Sequence, residues 1–144
     1  MADAAWVIGI ASMLPDIRFA FVGDALAHAD AAAHRNVSVL PAAPEPELHC
    51  LLHGASLAVG ALAFSEALDV GTPVAMRDGT WQAALLQRWG AGLVLPRDDL
   101  RRAASMLRRA AYDRPWRAQA SEAARALARE RFARRRPGGQ APMI

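Results

Sequence analysis

The 144-residue sequence has no lysine: all 17 of its basic residues are arginine. With so much alanine, this reads as coding bias as much as selection for guanidinium chemistry, so arginine identity alone carries no argument. There is one cysteine, Cys50, which excludes an internal disulfide and fits a reducing compartment. The apolar opening "AAWVIGIASML" is too short to span a bilayer. Asp3, not a basic region, precedes it, which argues against a signal peptide. The expected location is the cytoplasm. Neither G-x-G-x-x-G nor a Walker sequence occurs, which leaves dinucleotide and kinase readings without support.

What is present is the composition of a globular domain, 53% hydrophobic and 22% charged, at a length that buries one core. The expected domain covers residues 1–136, and the aperiodic end 137–144 reads as a disordered tail. Net charge is +3 but unevenly spread, −5 over residues 1–96 and +8 over 97–144. A basic end attracts anions; its ordinary form is a solvated helical face.

Short apolar runs alternate with helical patterns. "FAFVG" (19–23), "NVSVL" (36–40), "SLAVGAL" (56–62), "TPVAM" (72–76) and "GLVLP" (92–96) read as buried strands. "PEPELHCLLHGA", "FSEALDVG", "TWQAALLQRWG", "DDLRRAASMLRRAAYD" and "WRAQASEAARALARERF" read as helices, with Gly71 and Gly90 as stops and Pro115 in a first turn. Strands apolar on both faces, separated by helices, indicate a doubly wound, Rossmann-like parallel α/β sheet with helices on both faces. Such sheets bind ligands at the carboxyl ends of their strands. Tyr112, Trp116 and Phe132 are expected as core anchors, not stacking platforms for nucleic acid.

The order "LPDIRFAFVGD", "NVSVL", "PEPELHCLLHGASLAV", "SEALDVGTPVAM", "GAGLVLP" resembles the C-terminal, nucleotide-sugar-binding half of GT-B glycosyltransferases, over residues 10–133. The resemblance implies that Glu66, in the family's "EAL-x-x-G-x-P-V" pattern, accepts hydrogen bonds from the ribose hydroxyls of a nucleotide-diphosphate sugar. An ionised carboxylate suits a diol, since it accepts two donors in charge-assisted bonds. Gly60 and Ala61 would admit the diphosphate oxygens to the backbone, with Ser65 in the same loop. Gly23 ends the first strand in a turn that resembles a phosphate-facing one. Asp78 and Gln82 lie where some branches place a pair for sugar hydroxyls. The plain alternative for Glu66 is an acid favouring its own helix dipole.

The sequence also departs from the family. Ala58 stands where many retaining members have a second Glu. The usual first strand and the acceptor domain are missing, so no residue is named as a catalytic base and the expectation is a truncated half. "AWVIGIA" cannot supply that strand in parallel, because only "SMLPDIR" separates it from Phe19. It fits a helix. The sheet would then have a gap of roughly 10 Å, about two strand spacings. No cofactor beyond the donor is expected, and no metal. His49 and His53 flank Cys50 but lack a third ligand at suitable spacing, and His53 is expected either near the nucleotide side of the sheet or, more simply, exposed to solvent. Three functions compete: a donor-binding half that needs an acceptor domain or second subunit, a non-catalytic interaction module derived from one, and, last, nucleic-acid binding through the arginine-rich end.

Overall fold

The computed structural model describes residues 2–22, 34–40, 44–60 and 64–131. The predicted tail at 137–144, Phe132, Gly23 and Ala61 lie outside them. In chain order the elements are α1 (Ala2–Ser12), β1 (Phe19–Val22), β2 (Val37–Leu40), α2 (Glu45–Gly54), β3 (Ala58–Val59), α3 (Phe64–Val70), β4 (Val74–Arg77), α4 (Trp81–Trp89), β5 (Gly92–Leu95), α5 (Leu100–Tyr112) and α6 (Arg114–Arg131). The order matches the one expected, and "AWVIGIA" is helical.

Every strand pair is parallel. β1 pairs with β2 in the register Phe19 to Val37; β4 is central between β3 and β5, with Val74 opposite both Ala58 and Gly92. Among the described residues these form two sheets, β1-β2 and β3-β4-β5. The stretch 56–62 yields only a two-residue strand among its described residues, paired with β4. Helix α1 joins the two sheets: Ala11 packs with Phe21 and Val37, while Trp6, Ile10 and Leu14 pack with Ala75 and Leu95.

Both faces of the three-stranded sheet are covered, which is why its strands read as unbroken apolar runs. Val74 and Met76 point to one face, against Leu68 of α3, Leu86 of α4 and Leu127 of α6. Ala75 between them points to the other, against α1 and the Ala103, Ala104 and Leu107 stripe of α5. This is the period-two alternation of a strand feeding two cores. Burying each leucine fully stabilises by about 1.5–3 kcal/mol.

Side-chain caps fix the starts of α4, α5 and α6. Thr80 accepts from Ala83 N at 3.0 Å, Asp99 from Arg102 N at 3.0 Å, and Asp113 from Trp116 N at 3.0 Å. Asn36 does the converse for the end of α1. Its amide donates to the carbonyls of Ala11, Leu14 and Ile17 at 2.9, 2.9 and 3.0 Å, which ties the helix end to the start of β2.

One expectation fails. Tyr112 is not a core anchor; it is 63% exposed. It lies five positions past Leu107, about 140° around the helix, and so leaves the apolar stripe. Its hydroxyl donates instead to Asp16 Oδ2 at 2.8 Å. Trp116 is half-buried.

Candidate functional site

Because β3, β4 and β5 run in parallel, their carboxyl ends share one edge. Gly60 follows β3, Asp78 follows β4 and Pro96 follows β5. Gly60 is fixed there by its N–H, which donates to Ala75 O at 3.0 Å. Its φ is 102°, a left-handed value that favours glycine. No described atom lies within 4 Å of where a Cβ would stand, so the backbone is open to an approaching group.

Ser65 and Glu66 sit in the first turn of α3, the helix that returns from this edge. Ser65 is exposed and Glu66 half-buried. No described residue hydrogen-bonds or ion-pairs with the Glu66 carboxylate. Gln82, half-buried, occupies the matching first turn of α4. The two helix starts touch: the rings of Phe64 and Trp81 meet edge to face, centroids 5.8 Å apart and planes at 73°. Glu66 and Gln82 are therefore carried by helices whose first residues are in contact.

Asp78 takes another position. It is exposed and lines an open cleft of about 390 Å³ with Gly79, Pro96, Arg97, Asp98 and Asp99. Its N–H donates to Leu95 O at 2.9 Å, and its carbonyl accepts from Arg97 Nε at 3.2 Å. Gly60, Ser65, Glu66 and Gln82 do not line that cleft. Its three aspartates against one arginine disfavour a diphosphate and suit hydroxyl donors, although Asp99 is engaged as the cap of α5. The structure thus groups Asp78 with Arg97 and Asp98, while Glu66 and Gln82 lie on two helices that meet through Phe64 and Trp81. Gly23 and Ala61, also expected here, are outside the described residues.

Two residues at this edge went unforeseen. Trp81 is 61% exposed beside the start of α3; its one sequence signal is an aromatic directly after a polar turn, "RDGTW". Arg77, the last residue of β4, places its guanidinium 5.0 Å from the ring centroid of Trp6, a cation–π distance. His53 is exposed, the simpler of its two expected placements, and is not on the nucleotide side: it belongs to the opposite edge, beside Ser56 and Thr72. Among the described residues no three His, Cys, Asp or Glu side chains converge as metal ligands, and no helix is long and apolar enough to cross a membrane.

No protein-family model matches the chain, and no curated protein matches it in sequence. Solved structures do match in fold. WaaG, a glycosyltransferase involved in lipopolysaccharide biosynthesis, superposes with a TM-score of 0.71 at 20% identity over 91% of this chain. TarM superposes with a TM-score of 0.67 at 15% identity over 90% of it. The chain spans 40% of the WaaG chain and 28% of the TarM chain. Likeness at that level of identity is likeness of fold: this chain has the Rossmann-like α/β architecture of part of a GT-B glycosyltransferase.

Proposed function

We propose that the chain is the donor-binding half of a GT-B glycosyltransferase and takes a nucleotide-diphosphate sugar at the carboxyl edge of β3 and β4. The observation that carries this reading is the superposition on WaaG over 91% of the chain. The chemistry at the edge supports it. Glu66 offers an uncommitted carboxylate to a ribose diol. Gly60, whose own N–H is held by Ala75 O, leaves room for phosphate oxygens at the turn after β3. Ser65 and Gln82 add polar groups within a turn of the same contact, and Asp78 would meet hydroxyls of the transferred sugar. A second polypeptide or domain would bring the acceptor and the base that deprotonates it.

Titration calorimetry with uridine and guanosine diphosphates tests the reading. Binding near 1 μM corresponds to about −8 kcal/mol. Removing a charge-assisted bond pair with Glu66→Ala is expected to cost roughly 1.5–3 kcal/mol, about a tenfold to hundredfold loss. Equal binding by the two proteins would remove Glu66 from the site; no binding by either would remove the donor half.

A second reading, a non-catalytic interaction module, draws on the split between the two sheets. It predicts self-association or partner binding that nucleoside diphosphates do not change.

A further inference from the structure

The edge opposite Glu66, at the amino ends of β3 and β4, holds an open cavity of about 270 Å³. One wall is a single face of α6. Arg114, Arg117, Ser121 and Arg125 fall at positions i, i+3, i+7 and i+11, and so line up along the helix. The other wall is the end of α2, with His53 and Ser56, and the turn Gly71–Pro73 that leads into β4. No carboxylate lines the cavity.

Arg117 and Arg125 are held but not neutralised. Arg117 Nη1 reaches Ser56 Oγ at 3.5 Å, the outer limit of a hydrogen bond. Its Nε is buried with no acceptor among the described residues. Arg125 lies across Gly71, where a Cβ would collide with its Nη1 and come within 3.0 Å of Ser121 Oγ. The missing side chain at Gly71 therefore lets that guanidinium settle against the turn. No described carboxylate pairs with Arg114, Arg117 or Arg125. Three guanidinium forks, an imidazole and two hydroxyls converge with an unmet donor among them.

We infer that this cavity binds a phosphate group. Guanidinium forks match tetrahedral oxyanions in paired, charge-assisted bonds. The hydroxyls of Ser56 and Ser121 can donate to further oxygens. The volume is below that of an ordinary pocket for a drug-sized ligand, which points to a phosphomonoester head and not to a nucleotide. A soluble phosphoester and a lipid headgroup share this chemistry. The inference does not rest on the reading of Glu66, which lies beyond the other end of the strands.

The test is a titration of the whole chain with inorganic phosphate at constant ionic strength, read on the arginine Nε–Hε resonances by NMR. The Arg117 signal is expected to shift and saturate, while Arg97 and Arg101 stay still. Arg117→Gln should weaken binding about tenfold or more, and Arg125→Gln, an exposed position, gives a second variant should the first not fold. Glu66→Ala should leave the titration unchanged, which separates the two sites. Sedimentation with phosphatidic-acid vesicles, lost in Arg125→Gln, would name the lipid source; phosphate binding without sedimentation would name the soluble one. Unsaturable shifts of equal size on all arginines, or wild-type affinity in Arg125→Gln together with Arg117→Gln, would overturn the inference.

Discussion

Phe64 and Trp81 meet edge to face at 5.8 Å, and each is the first residue of its helix. The contact sets the spacing between α3 and α4 where both return from the candidate donor edge. The two rings differ in burial: Phe64 is 5% exposed and Trp81 61%. Phe64→Ala therefore opens a core cavity and should cost about 3–5 kcal/mol. Trp81→Ala should cost only the edge contact, about 0.5–1.5 kcal/mol. Urea unfolding of the two variants would show this difference. If Trp81 also borders the ligand, Trp81→Ala will lower nucleoside-diphosphate affinity by more than its small stability loss explains.

Thr72 is the one buried polar side chain among the described core residues, 3% exposed, and its hydroxyl donates to Leu52 O at 2.5 Å. The bond ties the end of α2 to the turn before β4. Leu52 O also accepts from Ala55 N at 3.1 Å, so Thr72→Val would not leave that carbonyl without a donor. The expected loss is accordingly about 1 kcal/mol, at the low end for a buried hydrogen bond. Thr72→Ser keeps the donor and should lose mainly the methyl packing. A loss near 3 kcal/mol in Thr72→Val would mean that the Ala55 bond fails with it.

The sequence made the element order legible because each strand is an apolar run closed by glycine, proline or aspartate, and α4, α5 and α6 each start at a capping side chain. The stripe of Ala103, Ala104 and Leu107 was visible at helical spacing for the same reason. What it hid depends on distant partners. Nothing local marks Asn36 as the clamp on α1, since its three acceptors lie 19 to 25 residues away. Tyr112 looked like a core residue by its type; its place five positions off Leu107 and its partner Asp16, 96 residues away, decided otherwise. At the candidate site, Glu66 stood out through its flanking pattern. The cleft of Asp78 with Arg97 and Asp98 did not, because it joins residues 19 apart, just past the ends of two strands. The amino-edge cavity was hidden more deeply, for its arginines read as a solvated helix face until α2 and the Gly71 turn were brought against them.

Gly71 has a φ of 82° and stands under the Arg125 guanidinium. Gly71→Ala meets two separate penalties, a left-handed backbone and a collision. It should destabilise by more than about 1 kcal/mol. Adding Arg125→Ala removes the collision with the guanidinium and leaves the backbone term and the tight contact with Ser121 Oγ, so the double variant should recover part of the loss. A double-mutant cycle from denaturant midpoints measures that coupling. Full additivity would show that Arg125 moves aside freely and is not seated on the turn.

Asp16 receives a hydrogen bond from the Tyr112 hydroxyl at 2.8 Å and lies 3.1 Å from Arg108 Nη2. The hydrogen bond from Tyr112 is the leading reason its carboxyl titrates below the ordinary range; its own backbone N–H and Arg108 act in the same direction. A carboxyl with a lowered folded pKa contributes stability that is present above the unfolded value, about 3.9, and is lost as pH falls through the folded value. Tyr112 is the mirror case. The same bond raises its pKa, so its contribution is present below the unfolded tyrosine value, about 10, and is lost as pH rises through the raised one. Tyr112→Phe should therefore move the Asp16 titration upward in carboxyl NMR and remove the alkaline loss of stability. Arg108→Ala should move Asp16 upward by less, because its charge is the smaller cause and faces solvent. An Asp16 titration unchanged in Tyr112→Phe would mean that the bond does not persist in solution.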